Sequence, residues 1–493
     1  MKTRSILPLL VALLLATGSV AGCAGDTTET TADTANTTAN TDTTVTETES
    51  TRYAADLPMQ DFGGANFNFL KRYTETAWSV NDLLVEEQNG EKINDAVYDR
   101  QLWMEETYNL TLTNTESGND NVLELAKTYV TSGDTSIHAI ATSVYDMVSL
   151  SLEGMLYDLN TVENIDLSQP WWSQNMNKAV TIGGKQHYAM GDIFIVDNEA
   201  ERIYYFNKAM AEDLGLGSLY DVVREGKWTI DTMMSYAELA ANDTDGDGTM
   251  TREYDQWGVM AQPQHFGFGL YMGAGQKLVN KDDKDMPFFQ AGESSAIDIM
   301  TVISDKISGS AAVSLNNENT MDVQLSDNII YFQEGRILFA PEVLLHIATM
   351  RNSDVDVGIL PNPKFDEAQT DYYCYADGYC TNGVCIPVCN TDTASIGYVL
   401  EAMSAESKNG LTEAYFEVCL SSKYVRDADS VEMLNLVLDS GTLDLGELFR
   451  WSSIADTVSN AINSGESIAS AIASAESAVV SAMEKDVKAI LGE

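Results

Sequence analysis

The sequence predicts an α/β fold organised in two lobes. Short apolar strand patterns alternate along the chain with segments of helical periodicity. This alternation is typical of α/β architecture with mainly parallel sheets. The part of the chain that follows residue 52 is about 440 residues long, which is more than one hydrophobic core normally serves, so we expect two lobes.

The N-terminus has the pattern of an export signal. Lys2 and Arg4 precede an apolar stretch from Ile6 to Ala16, which is too short to span a bilayer. Small residues then lead to Cys23 in a pattern that resembles a lipobox, the bacterial lipoprotein cleavage signal. The resemblance implies a signal peptide at residues 1–22 and a lipid on Cys23, which would hold the protein at the extracytoplasmic face of the cell membrane. Ordinary secretory cleavage beside an incidental cysteine is the alternative.

Residues 23–52 are predicted to form the lipid anchor and a disordered, Thr-rich stalk. They contain almost nothing apolar, so they cannot bury enough surface to offset their ordering entropy. No later apolar run reaches the length that a membrane helix needs. We therefore place the folded two-lobe domain at residues 53–493.

The charge of the chain limits its partners. Lys and Arg number 28 against 75 Asp and Glu, which gives a formal net charge of −47. A field of this sign repels nucleic acid and anionic lipid headgroups. We expect no nucleic-acid partner and membrane contact only through the anchor. Solubility is the simplest role of the charge, which does not identify a ligand.

The predicted elements follow one another along the whole domain. Periodicity places strands and helices in this order: strand 67–70, helix 95–108, strand 137–141, helix 147–156, strand 203–206, helix 208–214, helix 229–242, strand 356–360, and long helices from Ser395 onward.

Several motifs follow one another in a consistent order between roughly residues 60 and 460. They are Ser132–Asp134, Tyr145-Asp146, Leu152–Leu159, Tyr204–Lys208, Asp213–Leu216, Trp228–Asp231, Phe332–Arg336 and Gly358–Pro361. Their order resembles that of family 1 extracellular solute-binding proteins, which are the sugar-type receptors of ABC importers.

This resemblance implies a specific architecture. The expected fold is the two-lobe, periplasmic-binding-protein-like fold of type II, in which hinge crossovers join the lobes and the ligand lies in the cleft between them. Lobe 1 would contain approximately residues 53–198 and a return segment near 358–400. Lobe 2 would contain approximately residues 199–357 and the C-terminal helices.

Ligands of open α/β sheets bind beyond the carboxyl ends of the strands. Sugars require aromatic rings and polar acceptors. Asp146 follows the strand at 137–141, where the family commonly places an acid against a sugar hydroxyl, and Tyr145 precedes it. A helix N-cap is the alternative role for Asp146.

Further candidates are mainly aromatic. Gly267 and Gly269 predict an exposed loop for the aromatic run around them, while core packing is the alternative for each ring. The remaining predicted ligand-binding residues are Trp78, Trp172, Asp197, His265, Phe266 and Phe268.

An acidic loop predicts a structural calcium site. Asp243, Asp245 and Asp247 occupy positions 1, 3 and 5 of an EF-hand-type loop, and Thr249 would add a backbone carbonyl. Tyr254 stands at position 12, where a bidentate Glu is expected. An acidic surface turn is the alternative.

The cysteines beyond the lipobox leave three possibilities. They are Cys374, Cys380, Cys385, Cys389 and Cys419. An extracytoplasmic location favours disulfides. Free thiols are one alternative. A four-thiolate metal site is the other, although the spacing lacks the paired C-x2-C pattern of zinc sites.

The sequence therefore predicts a lipid-anchored, monomeric receptor rather than an enzyme. It would bind a carbohydrate, chiefly an oligosaccharide, and deliver it to ABC permease subunits. The chain has four His and lacks a Gly-x-Ser-x-Gly elbow and a P-loop. A surface polysaccharide-acting enzyme with paired carboxylates, or a sugar-sensing or adhesion module without transport, is the alternative.

Overall fold

The computed structural model describes residues 52–73, 80–117, 121–195, 197–318, 320, 325–347, 349–420 and 428–493. The predicted signal peptide, residues 23–51 of the predicted stalk with Cys23, and Trp78 lie outside these ranges. Among the described residues, no helix has the length and apolar character needed to cross a membrane.

The strands, in chain order, are β1 (Ala65–Arg72), β2 (Leu110–Ser117), β3 (Ala139–Ser143), β4 (Arg202–Asn207), β5 (Trp257–Ala261), β6 (Val279–Lys281), β7 (Pro287–Phe289), β8 (Val313–Leu315), β9 (Ile337–Val343), β10 (Val357–Leu360), β11 (Cys374–Tyr375), β12 (Asn382–Cys385) and β13 (Gly441–Thr442).

The helices are α1 (Lys92–Tyr108), α2 (Val122–Ser132), α3 (Val144–Leu152), α4 (Gln174–Val180), α5 (Lys208–Asp213), α6 (Leu219–Arg224), α7 (Ile230–Ala240), α8 (Pro263–Gly273), α9 (Ser294–Ile307), α10 (Asp327–Gln333), α11 (Thr393–Asn409), α12 (Leu411–Leu420), α13 (Ala428–Ser440), α14 (Leu445–Leu448), α15 (Ile454–Ser464) and α16 (Ile468–Leu491).

Lobe 1 is built on a four-stranded sheet with the order β12-β3-β1-β2. β1 runs parallel to both β2 and β3, so the carboxyl ends of these three strands meet at one edge. Phe67 and Phe69 of β1 are buried in the lobe 1 core, together with residues of α11. This packing fixes the position of the sheet edge at which the carboxyl ends of β1, β2 and β3 meet.

Lobe 2 is built on a five-stranded sheet with the order β10-β4-β9-β5-β8. β5 is parallel to β8 and β9, whereas β4 is antiparallel to β9 and β10. β12 of lobe 1 is antiparallel as well. The expectation of mainly parallel sheets therefore fails at β4, β10 and β12, because these strands adjoin the crossovers and no βαβ connection sets their direction.

Two crossovers and the C-terminal helices complete the domain. The first crossover leads into β4, and the second leads from β10 to β12 and includes β11, which pairs with β13. α11 packs into the lobe 1 core, whereas α15 and α16 contribute to the lobe 2 core. Segments 376–381 and 445–450 thereby return to the edge of lobe 1.

Candidate ligand-binding site

The corner between β3 and α3 exposes the side chains that the sequence identifies most directly. Ser143 ends β3, and its Oγ accepts a hydrogen bond from the Asp146 backbone N–H at 3.3 Å. Ser143 is therefore the N-cap of α3, and Asp146 lies in the first turn rather than at the cap. Tyr145 and Asp146 are both half-buried at the carboxyl end of the lobe 1 sheet.

These side chains border a cavity of about 320 Å³. One wall is the edge of lobe 1, and the other comes from the second crossover and the segment after α14. The lining includes Arg72, Ser143, Tyr145, Asp146, Tyr379, Phe449 and Arg450. We refer to it as the α3 cavity.

The polar groups of the α3 cavity are held in place by hydrogen bonds. Thr142 Oγ1 donates to Asp146 Oδ2 at 2.6 Å, which orients the carboxylate. Arg72 Nη1 donates to the Tyr379 carbonyl oxygen at 2.6 Å, and its guanidinium lies 4.4 Å from the Tyr379 ring centroid. The Tyr379 ring is itself 41 % exposed, so one face remains available to a ligand.

The α3 cavity also touches a buried acid. Tyr145 Oη donates to Glu447 Oε1. Burial, reinforced by the charge of Asp377, raises the pKa of Glu447 well above its ordinary value. Burial and the neighbouring Glu447 also raise the pKa of Tyr145. The phenol therefore stays protonated, while the Arg450 guanidinium lies 5.5 Å from the centroid of its ring.

The segment after α14 has an unusual backbone. Arg450, Ser452 and Ser453 adopt positive φ angles of 53°, 50° and 50°. Positive φ is uncommon for residues other than glycine and clusters at functional sites. The rings of Phe449 and Trp451 stack at 4.7 Å. This turn places Phe449 and the exposed Arg450 at the α3 cavity.

The lobe 2 residue His265 lies in a different environment. Its Nδ1 is 3.0 Å from Tyr375 Oη, and its Nε2 is 3.6 Å from Asp377 Oδ2. Burial, together with the charge of Arg202, lowers the pKa of His265 to about 3, although Asp377 opposes the shift. His265 is therefore neutral near pH 7, and its ring is engaged by the second crossover.

The aromatic run around His265 is a helix, so the predicted exposed loop is wrong. Phe266 and Phe268 are buried in α8, and Phe268 packs edge-on against Tyr375 at 5.0 Å. A Cβ on Gly267 would lie 2.9 Å from the Ser459 carbonyl oxygen of α15. The glycines permit close helix packing, which the sequence pattern does not distinguish from a loop.

Trp172 and Asp197 also lie outside the α3 cavity. Trp172 is buried in the lobe 1 core, where its Nε1 donates to Glu401 Oε2 at 2.9 Å. Asp197 is buried in the first crossover and accepts a hydrogen bond from Asn198 N–H at 2.9 Å. Burial raises the pKa of Asp197 well above its ordinary value. Both residues border a separate cavity of about 250 Å³.

The acidic loop forms a compact turn after α7. Oxygen atoms of Asp243, Asp245 and Asp247 lie within 4.8 Å of one another. Asp243 accepts hydrogen bonds from the N–H groups of Gly246 and Gly248, each at 2.8 Å. The carboxylates thus converge, although exposed acids also do so without an ion.

The remainder of the acidic loop departs from the EF-hand pattern. Thr249 N–H donates to Asp247 Oδ1 at 2.7 Å. Tyr254, at position 12, is 67 % exposed. The next residue, Asp255, is buried and accepts hydrogen bonds from the N–H groups of Thr244 (2.8 Å) and Thr251 (2.6 Å). The Asp255 carboxylate therefore links the backbone at Thr244 to that at Thr251 and stabilises the loop.

The five cysteines are free thiols, which corrects the predicted disulfides. Cys374 lies in β11, Cys385 in β12 and Cys419 in α12. These elements belong to separate parts of the domain, so proximity in sequence does not bring the sulfur atoms together. The four-thiolate site does not form among the described residues either.

Of the residues that line the α3 cavity, the sequence identified only Tyr145 and Asp146. Arg72 ends β1, two residues beyond the predicted strand at 67–70, and Tyr379 lies in the cysteine-rich crossover. Phe449 and Arg450 belong to an aromatic-Arg-aromatic run between helices, which is a usable signal for an exposed turn. Only the fold shows that these segments meet at the lobe 1 edge.

No protein-family model and no curated protein sequence matches the chain. Solved structures do share its fold. One is an ABC substrate-binding protein from Listeria monocytogenes in complex with cycloalternan, with 12 % identity and a TM-score of 0.55, covering 85 % of this chain and 99 % of its own.

Two further structures give the same result. Maltose-binding MalE from Listeria monocytogenes, in complex with maltose, has 13 % identity and a TM-score of 0.54, with 85 % of this chain and 98 % of its own covered. A cyclo/maltodextrin-binding protein with maltotetraose has 12 % identity and a TM-score of 0.57, with coverages of 86 % and 98 %. The chain thus has the two-lobe α/β fold of these binding proteins, which confirms the predicted fold class.

Proposed function

We propose that this chain is the substrate-binding protein of an ABC importer and that it binds an oligosaccharide at the α3 cavity. The observation that carries the proposal is the meeting of rings and hydrogen-bonding groups at the carboxyl ends of β1 and β3. The fold relatives, whose structures hold cycloalternan, maltose and maltotetraose, support a carbohydrate as the ligand class.

The side chains at this edge suit a sugar. The exposed face of Tyr379 and the ring of Phe449 offer apolar surfaces for a pyranose ring. The Asp146 carboxylate accepts hydrogen bonds from hydroxyl groups, whereas the exposed Arg450 guanidinium donates to sugar oxygens. These groups come from the lobe 1 sheet edge and from the segments that return to it, so the ligand would be held from two sides. As in other two-lobe receptors of this fold, binding would select the closed arrangement of the lobes. A permease would then recognise that arrangement.

A calorimetric titration of the purified protein tests this function. The panel contains neutral oligosaccharides, peptides and polyamines, and the mixtures are analysed for reaction products. We expect saturable one-to-one binding of a neutral oligosaccharide without turnover. Binding of a peptide or polyamine alone would refute the carbohydrate assignment, and cleavage of a polysaccharide would favour the surface-enzyme alternative. Binding without import in cells would favour a sensing or adhesion module.

We also propose that Cys23 carries the lipid that tethers the protein to the extracytoplasmic face of the membrane. The lipobox-like sequence and the polar stalk support this anchor. Cys23→Ser should release the protein from the membrane fraction and leave ligand affinity unchanged, because the stalk separates the anchor from the folded domain. Fractionation with a salt wash measures the release. A mutant that stays in the washed membranes would contradict the anchor.

The acidic loop is proposed to bind calcium as a structural ion. Without the bidentate Glu, we expect a dissociation constant of about 10⁻⁴–10⁻³ M, so millimolar calcium should stabilise the fold by about 0.4–1.4 kcal/mol. Asp245→Ala should abolish the rise in melting temperature, whereas the exposed Asp283→Ala in the β6–β7 hairpin should retain it. An identical response of both variants to calcium and chelator would exclude the loop as the site.

A further inference from the structure

A larger cavity lies away from the α3 cavity. Its volume is about 610 Å³, within the range of small-molecule sites, and it shares no lining residue with the α3 cavity. α4, which packs in lobe 1, forms one wall, and β6 of lobe 2 forms another. The second crossover and the end of α13 complete the lining. We refer to it as the α4 cavity.

Three lysines surround the α4 cavity: Lys178, Lys277 and Lys281. This concentration is unusual in a chain with 28 basic and 75 acidic residues. Lys281 pairs with Asp285 at 2.5 Å. Among the described residues, no carboxylate lies within ion-pair distance of the ammonium groups of Lys178 and Lys277.

Lys277 illustrates the unbalanced charge. Its Nζ donates to two neutral oxygens, Thr442 Oγ1 at 2.9 Å and the Leu443 carbonyl at 2.8 Å. Burial lowers the pKa of Lys277, and the charges of Lys281 and Lys178 lower it further against the influence of Asp444. The charges of Lys178 and Lys281 therefore disfavour the charged form of Lys277, and an anion in the cavity would offset that effect.

The rest of the lining suits a sugar ring. Tyr373 is 36 % exposed, and its ring is seated on Gly275, where an added Cβ would lie 2.9 Å from Tyr373 Cε2. The ring therefore packs closely on the Gly275 backbone. Asn175 and Asn280 add amide groups from opposite walls. Asp371 and Asp439 also line the cavity, which favours a ligand with few negative charges over a polyanion.

We propose that the α4 cavity binds an acidic sugar. Its carboxylate or phosphate lies against Lys178 and Lys277, because Lys281 Nζ is already held by Asp285, the Lys178 carbonyl and Thr181. Its ring lies against Tyr373. The occupant would contact α4 of lobe 1 and β6 of lobe 2 together. This site is separate from the α3 cavity and does not depend on the function proposed there.

Titration with matched ligands tests the acidic-sugar site. The probes are a galacturonic acid trimer, the neutral galactose trimer, a hexose phosphate and inorganic phosphate, each at low and high salt. The galacturonate trimer or the hexose phosphate should bind at low salt and weaken as salt rises. Lys178→Gln should weaken that binding about 10-fold. Lys485→Gln, which removes an exposed charge on α16, should leave it unchanged.

Several outcomes would overturn the assignment. These are the absence of binding by both sugar anions at low salt, equal affinity of wild type and Lys178→Gln, and equal affinity for the neutral trimer. Inorganic phosphate that binds as tightly as the sugar anions would refute the sugar component. Asp146→Ala separates the two cavities: binding that persists in this variant supports the α4 cavity, whereas binding that is lost assigns the ligand to the α3 cavity.

Discussion

Two corners of the molecule have the same local design and different surroundings. In lobe 1, β3 leads directly into α3, and Tyr145 and Asp146 occupy the first turn. In lobe 2, β5 leads into α8, and His265 and Phe266 occupy the first turn. The first corner borders a cavity of about 320 Å³. At the second corner, Phe266 is buried, while His265 is half-buried and its ring contacts the crossover residue Tyr375.

The difference comes from what packs over each helix. At α8, Gly267 lets α15 approach, because any Cβ there would meet the Ser459 carbonyl at 2.9 Å. At α3, the returning segment places Phe449 and Arg450 at the rim and leaves space beside Asp146. A strand-to-helix corner is therefore a local property, whereas its accessibility depends on chain segments that are distant in sequence.

The largest expected effect concerns the corner at α8 of lobe 2, which we refer to as the covered corner. Phe268→Ala should destabilise the protein by about 3–5 kcal/mol, because it leaves a cavity in the lobe 2 core. Chemical denaturation measures the loss, and Phe449→Ala at the half-buried rim serves as the matched control with a smaller loss. Equal losses in the two variants would show that the corners do not differ in packing.

At the corner at α3 of lobe 1, which we refer to as the accessible corner, a substitution should change ligand affinity as well as stability. Asp146→Ala removes a carboxylate that accepts hydrogen bonds, so oligosaccharide binding should weaken about 10- to 100-fold. The loss of stability should be smaller than that of Phe268→Ala, about 1–3 kcal/mol, since the buried Thr142 hydroxyl loses its acceptor while Ser143 still caps α3. The exposed Asp298→Ala in α9 is the control. Unchanged affinity in Asp146→Ala would remove this residue from the site.

The contribution of the covered corner to the stability of the protein should also depend on pH. The pKa of His265 is about 3 in the folded chain, below the ordinary value of about 6.5, so the unfolded chain binds more protons between these values. The contribution of neutral His265 to the free energy of unfolding is therefore fully present above pH 6.5 and is lost as the pH falls toward 3.

The variant His265→Gln isolates this contribution. Between pH 7 and pH 5, the wild type should lose about 2 kcal/mol more stability than His265→Gln. Urea denaturation at both pH values measures the difference. Parallel pH profiles for the two proteins would show that His265 titrates normally and that the α8 corner is open to water.

Local patterns in the sequence predict much of the fold. The apolar alternation at 67–70 and 203–206 corresponds to β1 and β4, and Thr229 caps α7 as the periodicity indicates. The antiparallel direction of β12 is not predictable in the same way, because its neighbour β3 is far away in sequence. Register and direction across a crossover arise from long-range pairing.

The candidate site was predictable only in part. Asp146 could be identified because the resemblance to family 1 solute-binding proteins implies an acid against a sugar hydroxyl after this strand, at the end of the sheet where ligands bind. Tyr379 and Arg450 could not, since each reaches the α3 cavity through a long return of the chain. Phe268 was predicted to be an exposed ligand-binding residue and is instead buried in α8. Aromatic residues beside glycines fit a loop and a closely packed helix equally well.

The turn at Arg450, Ser452 and Ser453 has a consequence for the dynamics of the rim. A left-handed conformation costs about 1–2 kcal/mol for each residue of this kind, or about 3–6 kcal/mol for the three. That sum is comparable to the net stability of many domains, about 5–15 kcal/mol. The amides of this turn should therefore exchange with deuterium through local opening, well before those of β1 and β3, so the rim moves while the sheet beneath it stays closed.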